Sequence, residues 1–161
     1  MILYHGSNVI VENPKIIKAT RTLDFGYGFY TTTSYDQALK WAKIKSRREN
    51  IEKGIISIYE IEDTIFEEDT LNIKVFNGAN KSWLEFVLDN RMKEGYTHNY
   101  DVVKGSVADD RVYACLNAFE NKFMDFDMAI KELRTYKLSD QISFHTKESL
   151  KYLNFIRYEE V

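Results

Sequence analysis

The spacing of apolar and polar residues changes several times along the chain, and each change predicts an element. Ile2–His5 is a short apolar run and reads as the first strand. Asn8–Thr22 is irregular, with a turn at "ENPK". Gly28–Thr33 has the aromatic and β-branched content of a strand. Ser34 then opens an S-x-x-Q capping box with Gln37, predicting a helix that carries Leu39, Trp41 and Ala42 to about Arg48. Ile55–Ile61 alternates as a strand. Ser82-x-x-Glu85 predicts a second capped helix, with Trp83, Leu84, Val87 and Leu88 along one face. Asp101–Lys104 is a short strand candidate, and Asp110–Asn121 reads as helical. Phe126, Ala129, Ile130, Leu133 and Tyr136 keep helical spacing across Asp125–Tyr136. Gln141–His145 is predicted as a strand, Thr146–Leu153 as a short helix and Phe155–Glu160 as a last strand. No regular βαβ rhythm appears, so the pattern favours α+β over a doubly wound α/β sheet.

Composition narrows the function classes. Pro14 is the single proline and no Gly/Ser-rich linker interrupts the 161 residues, so one domain over 1–161 is expected. Hydrophobic residues at 44% and aromatics at 14% supply a core and exclude a disordered chain. A net charge of −3 gives no global drive toward nucleic acid, although "KIKSRR" at Lys43–Arg48 is a local basic patch. Such runs are more often solvated helix faces. Cys115 is the one cysteine, which excludes an internal disulfide and fits a reducing compartment. His5, His98 and His145 are scattered, so no metal site is expected. No apolar run has the length of a membrane span and the N-terminus has no signal-peptide pattern, so a cytoplasmic location is expected. A phosphate loop is absent, and "GYG" lacks the context of a dinucleotide fingerprint.

Two stretches carry candidate chemistry. "LYHGS" at Leu3–Ser7 puts an imidazole and a glycine at one strand end, where the ring can bond a sugar hydroxyl and the main chain a planar amide. A satisfied structural histidine reads equally well. "DFGYGFYTTT" at Asp24–Thr33 joins two glycines to three aromatics, which suits close approach to a flat ligand or a tight turn into an ordinary strand.

Together, His5-Gly6-Ser7 and Gly26-Tyr27-Gly28-Phe29-Tyr30 resemble the core of the ADP-ribosyltransferase superfamily, in the branch of diphtheria-type toxins and poly-ADP-ribose polymerases. The resemblance implies two packed, mainly antiparallel sheets forming an NAD cleft with flanking helices. It implies that His5 bonds a ribose hydroxyl of NAD, that Gly6 holds the nicotinamide amide through its backbone, and that Tyr30 stacks on the nicotinamide. The polymerases close the other ring face with an aromatic eleven residues later, and here that offset lands on Trp41. An ordinary core tryptophan of an amphipathic helix is the alternative reading. Ser7 and Gly28 complete the implied NAD-binding set, and Arg21, just before the glycine stretch, reads either as a partner for the pyrophosphate or as an ordinary surface charge.

Gln141 in "SDQISFHT" stands where the polymerases carry a glutamate, giving a His5-Tyr30-Gln141 triad with no charge and no general base at its third member. Ala38 stands where they often have a serine. The chain is also similar to a bacterial family of unassigned ADP-ribosyltransferase-like proteins with "LDFGKGFYTT" and a late "Q-I-x-F-H-T", often encoded in toxin–antitoxin-like pairs. Asp109, Asp110 and Arg111 lie in the "VADDRVY" stretch before a helix, either as a substrate loop or as an N-cap with a solvated first turn. His98, in the polar "GYTHNYD" loop, is expected to face solvent, and His145 to be structural. The implied function is NAD-dependent mono-ADP-ribosyl transfer to a macromolecule, protein or nucleic acid, as the toxin of a pair with a cognate antitoxin. NAD hydrolysis, or a non-catalytic NAD- or protein-binding module, are the alternatives.

Overall fold

Two sheets hold the strands of the computed structural model, which describes residues 1–18 and 23–161. In the first, β1 (Ile2–Ser7) pairs antiparallel with β3 (Ile55–Glu60), and β3 with β7 (Asn154–Glu160). The second has the order β2-β6-β5-β4: β2 (Phe29–Thr31), β6 (Asp140–Phe144) and β5 (Val102–Ser106) run antiparallel, and β4 (Ile73–Val75) lies parallel to β5. With the helices below, this is an α+β architecture of two mostly antiparallel sheets.

The strand alternation sorts residues into three apolar layers. Leu3, Tyr59, Phe29, Val102, Ile142 and Phe144 meet between the two sheets. The other face of the second sheet lies under α2 (Lys81–Met92), α3 (Asp110–Glu120) and α4 (Phe126–Leu133), with Trp83, Leu84, Leu116 and Leu133 buried among them. Each such side chain contributes roughly 1.5–3 kcal/mol relative to exposure, well above what any exposed ion pair gives. On the outer face of the first sheet, α1 (Tyr35–Arg48) sets Ala38 and Ala42 against Ile56 and Ile58. Small residues are needed on both sides of this contact. A Cβ on Gly6 would stand 2.0 Å from the Ala38 carbonyl oxygen.

Caps define the helix starts. Ser34 accepts from the Gln37 amide at 3.3 Å, one half of the predicted capping box, while its own amide donates to Thr32 Oγ1 and not to the Gln37 side chain. The α2 cap lies two residues earlier than expected: Asn80 Oδ1 accepts from the Trp83 amide at 2.9 Å, and Ser82 only donates its hydroxyl to Asn80. The helix over Asp125–Tyr136 is shorter than expected, running Phe126–Leu133 from an Asp125 cap. Strand β4, the 3₁₀ turn Asp63–Glu67 and the short α5 (Lys147–Leu150) complete the elements, the first two unannounced by any pattern.

Candidate functional site

Strands β1 and β2 touch at a single bridge. Tyr4 and Thr32 exchange backbone hydrogen bonds of 2.9 and 3.0 Å. One pair further, antiparallel continuation would set Gly6 against Tyr30, but that pair is not made. The Ile61 amide donates to the Met1 carbonyl. In an antiparallel ladder this parity turns the backbone groups of Leu3, His5 and Ser7 toward β3, and those of Tyr4 and Gly6 toward β2. Among the described residues, the N–H and C=O of Gly6 therefore have no backbone partner. The Tyr30 carbonyl instead accepts from His5 Nδ1 at 2.6 Å.

That bond fixes the chemistry of His5. A carbonyl only accepts, so Nδ1 carries the proton and Nε2 presents a lone pair. Burial lowers the ring's pKa to about 4 against the opposing Tyr30 bond, which keeps it neutral near pH 7. Its ring packs on Phe29 with centroids 4.3 Å apart. The seam thus offers one amide donor, one carbonyl acceptor and one imidazole acceptor side by side.

Tyr30 borders the seam with its hydroxyl anchored inward, accepting from the Phe25 amide (3.0 Å) and donating to the Gly26 carbonyl (2.6 Å). Burial holds this phenol well above its ordinary pKa, so it serves as a wall and not as an acid. Trp41, half-buried on α1 one residue before Ala42, forms no ring pair with Tyr30 or any other described aromatic. Ser7 is buried, and its hydroxyl accepts the Val9 amide at 3.4 Å. The need for glycine at Gly28 comes from the protein itself: a Cβ there would lie 2.8 Å from His145 Nδ1 and from the Phe144 carbonyl. Arg21 lies outside the described residues.

Gln141 is 2% exposed and donates from Nε2 to Asp24 Oδ2 (2.8 Å) and the Ser106 carbonyl (3.2 Å). Asp24, 8% exposed, also accepts from the Ala108 amide at 2.9 Å and the Tyr113 hydroxyl at 2.9 Å. Burial raises its carboxyl pKa and outweighs the opposing pull of these donors. Asp24 therefore joins Gln141 to the segment that ends at Tyr30. The sequence held no local signal for this, since the partners are 117 residues apart.

Asp109, Asp110 and Arg111 form a capped helix start. Asp109 Oδ1 accepts the Arg111 and Val112 amides, and its Oδ2 pairs with the Arg111 guanidinium at 2.7 Å. The guanidinium lies over Tyr136, 4.8 Å from the ring centre. His98 does not face solvent: it is half-buried, with Nε2 donating to the Phe25 carbonyl at 2.7 Å and Nδ1 accepting the Tyr100 amide. His145 lies one residue past β6. Its Nδ1 donates to the Tyr27 carbonyl at 2.7 Å and its Nε2 meets the Ser143 hydroxyl at 2.8 Å. All three histidines of the chain thus clamp carbonyls of the 25–30 segment.

Two surface cavities lie apart from the seam. One of about 320 Å³ is lined by Thr70, Leu71, Glu148, Lys151 and Tyr152. A second of about 430 Å³ lies between the 77–80 turn and the segment after α4, with Ser106 in its wall. Among the described residues no helix is long and apolar enough to cross a membrane. Neither a curated protein nor a solved structure matches the chain. One protein-family profile does, over residues 1–155, and the chain belongs to that family, described as "Protein of unknown function (DUF3990)".

Proposed function

We propose that the seam between β1 and β2 binds the nicotinamide riboside half of NAD, and that the chain is an NAD-dependent mono-ADP-ribosyltransferase with an ADP-ribosyltransferase-like fold. The observation that carries this reading is the interrupted pairing at Gly6 and Tyr30. A primary carboxamide needs one donor and one acceptor in a plane, which a strand residue with free N–H and C=O provides. His5 Nε2, neutral and without a donor among the described residues, accepts a ribose hydroxyl beside it. Tyr30 forms one wall of the ring site, and Trp41 closes the other if its side chain turns toward the seam when ligand binds.

In the reaction the bond between ribose C1′ and the nicotinamide nitrogen breaks, its electron pair leaving with nicotinamide. Positive charge builds on the ribose until a nucleophile bonds C1′. Gln141 takes no proton, so an acceptor that arrives already anionic, such as a carboxylate, suits the site better than a hydroxyl or water. A macromolecular acceptor fits this requirement, and a toxin held by a cognate partner fits the motif resemblance.

Incubating the protein with NAD carrying a tagged adenine, with and without cell lysate, tests the proposal. Nicotinamide release with label on a macromolecule is expected, lost in His5→Ala. Release as free ADP-ribose alone would make the protein a glycohydrolase. No release and no NAD binding would refute the reading.

A further inference from the structure

The polar pair behind the seam has an order that the triad alone does not describe. Gln141 can orient its amide in two ways, but both neighbours of Nε2 are acceptors: the Asp24 carboxylate and the Ser106 carbonyl. Either orientation but the present one would set oxygen against oxygen, so the nitrogen is fixed inward. Oε1, to which no described group donates, is what Gln141 has left to offer. Ser106 is itself held, since its carbonyl also accepts Trp83 Nε1 at 3.0 Å. Asp24 receives the Ala108 amide and Tyr113 hydroxyl as further donors, a set that suits an ionised carboxylate. Arg91, with its guanidinium 4.6 Å from the centre of the Tyr113 ring, adds favourable charge nearby.

We infer that Asp24 is a positioning residue for the site: it absorbs the N–H of Gln141, leaves Oε1 as the unclaimed hydroxyl acceptor, and supplies from behind the negative charge that position 141 lacks. The inference rests on the NAD reading of the seam. The pair thus keeps one carboxylate and one amide, with the acid at 24 and the amide at 141. A carboxylate oxygen and an amide oxygen both accept a ribose hydroxyl, and a cation developing on the ribose feels a fixed buried charge one residue further away. The same arrangement explains why a bare Gln141→Glu change is not a simple restoration. Two carboxyl groups at 2.8 Å would have to share a proton.

Four forms test it: the wild type, Asp24→Asn, Gln141→Glu and the double exchange Asp24→Asn/Gln141→Glu, each checked first for its urea midpoint. Asp24→Asn is expected to lower kcat for nicotinamide release about a hundredfold or more, the size of a lost preorganised electrostatic contact. KM for NAD should move little. The double exchange restores one charge and one donor–acceptor match, so it should recover kcat to within about tenfold of wild type. Gln141→Glu alone should work only where the pair keeps its proton, with activity falling as pH rises. Asp24→Asn within threefold of wild type, or a folded double exchange as inactive as Asp24→Asn, would overturn the inference. A second readout separates this from failure of the NAD reading. In ¹⁵N spectra the Gln141 side-chain amide should exchange slowly in the wild type and lose that protection in Asp24→Asn. If it exchanges quickly in the wild type, Asp24 does not hold it, whether or not NAD turns over.

Discussion

Two regions of this molecule use histidine against the same backbone segment and leave it in opposite states. At the back, His98 and His145 donate to the Phe25 and Tyr27 carbonyls, and their second nitrogens are occupied by the Tyr100 amide and the Ser143 hydroxyl. Their hydrogen bonding is complete, and the two rings meet edge to face at 4.5 Å. At the front, His5 makes the same kind of bond to Tyr30, but among the described residues its Nε2 has no partner, and neither do the N–H and C=O of the neighbouring Gly6, which face away from its β3 partner Ile56. Folding is served by satisfying polar groups, so a half-satisfied histidine at an interrupted strand pair marks where the fold has left room for something else. The first region is scaffold. The second is the site we propose.

The seam is most sensitive at Gly6. In Gly6→Ala the new methyl meets the Ala38 carbonyl at 2.0 Å and the Ala42 nitrogen at 2.8 Å, which are backbone atoms that cannot rotate away. A loss of roughly 1–3 kcal/mol or more is expected, read as a lower urea midpoint with α1 displaced from β1. A variant as stable as wild type would mean that the β1–α1 contact is looser than described.

Acid should separate the clamp from the rest of the fold. Burial lowers the pKa of His145 to about 4, outweighing the Tyr27 bond, and lowers that of His98. Because these folded-state values lie below the unfolded value near 6.5, the folded state binds fewer protons in that interval. Stability is then full above pH 6.5 and falls as pH drops toward 4, by at most about 1.4 kcal/mol per pH unit for each group. His5 contributes with the same sign. Urea midpoints between pH 7 and 4.5 check this, and His145→Gln should flatten the slope. An unchanged slope would remove His145 from the clamp.

The smallest effect is expected outside both regions. Arg111 is exposed and paired with its own helix cap, so Arg111→Ala should cost under about 1 kcal/mol. It should also leave NAD turnover unchanged, as measured by nicotinamide release. A large fall in turnover would return the 109–111 stretch to the site as a substrate loop.

How much of this was legible depends on sequence distance. Helix α1 was readable because its cap and its packing face are local, β1 because it is a short apolar run, and β3 because its alternation is local. The start of α2 was misread because Asn80 and Ser82 are both good caps, and only the packing of Trp83 decides between them. Strand β4 was missed because three residues at a parallel edge show no alternation. His5 and Tyr30 are joined by a hydrogen bond beside Gly6, whereas Trp41 forms no described ring pair and the 109–111 charges cap α3. Asp24 and the real environment of His98 were invisible, since their partners are 117 and 73 residues away and no short-range pattern encodes such contacts.

The most direct measurement is a titration of ¹⁵N-labelled protein with NAD, and separately with nicotinamide, following the Gly6 amide. If the unpaired strand edge holds the carboxamide, the Gly6 resonance should move early and furthest with both ligands, with Tyr30 close behind and the amides of Ala108 and Tyr100 nearly still. Binding that leaves Gly6 unmoved while shifting another part of the molecule would contradict the account.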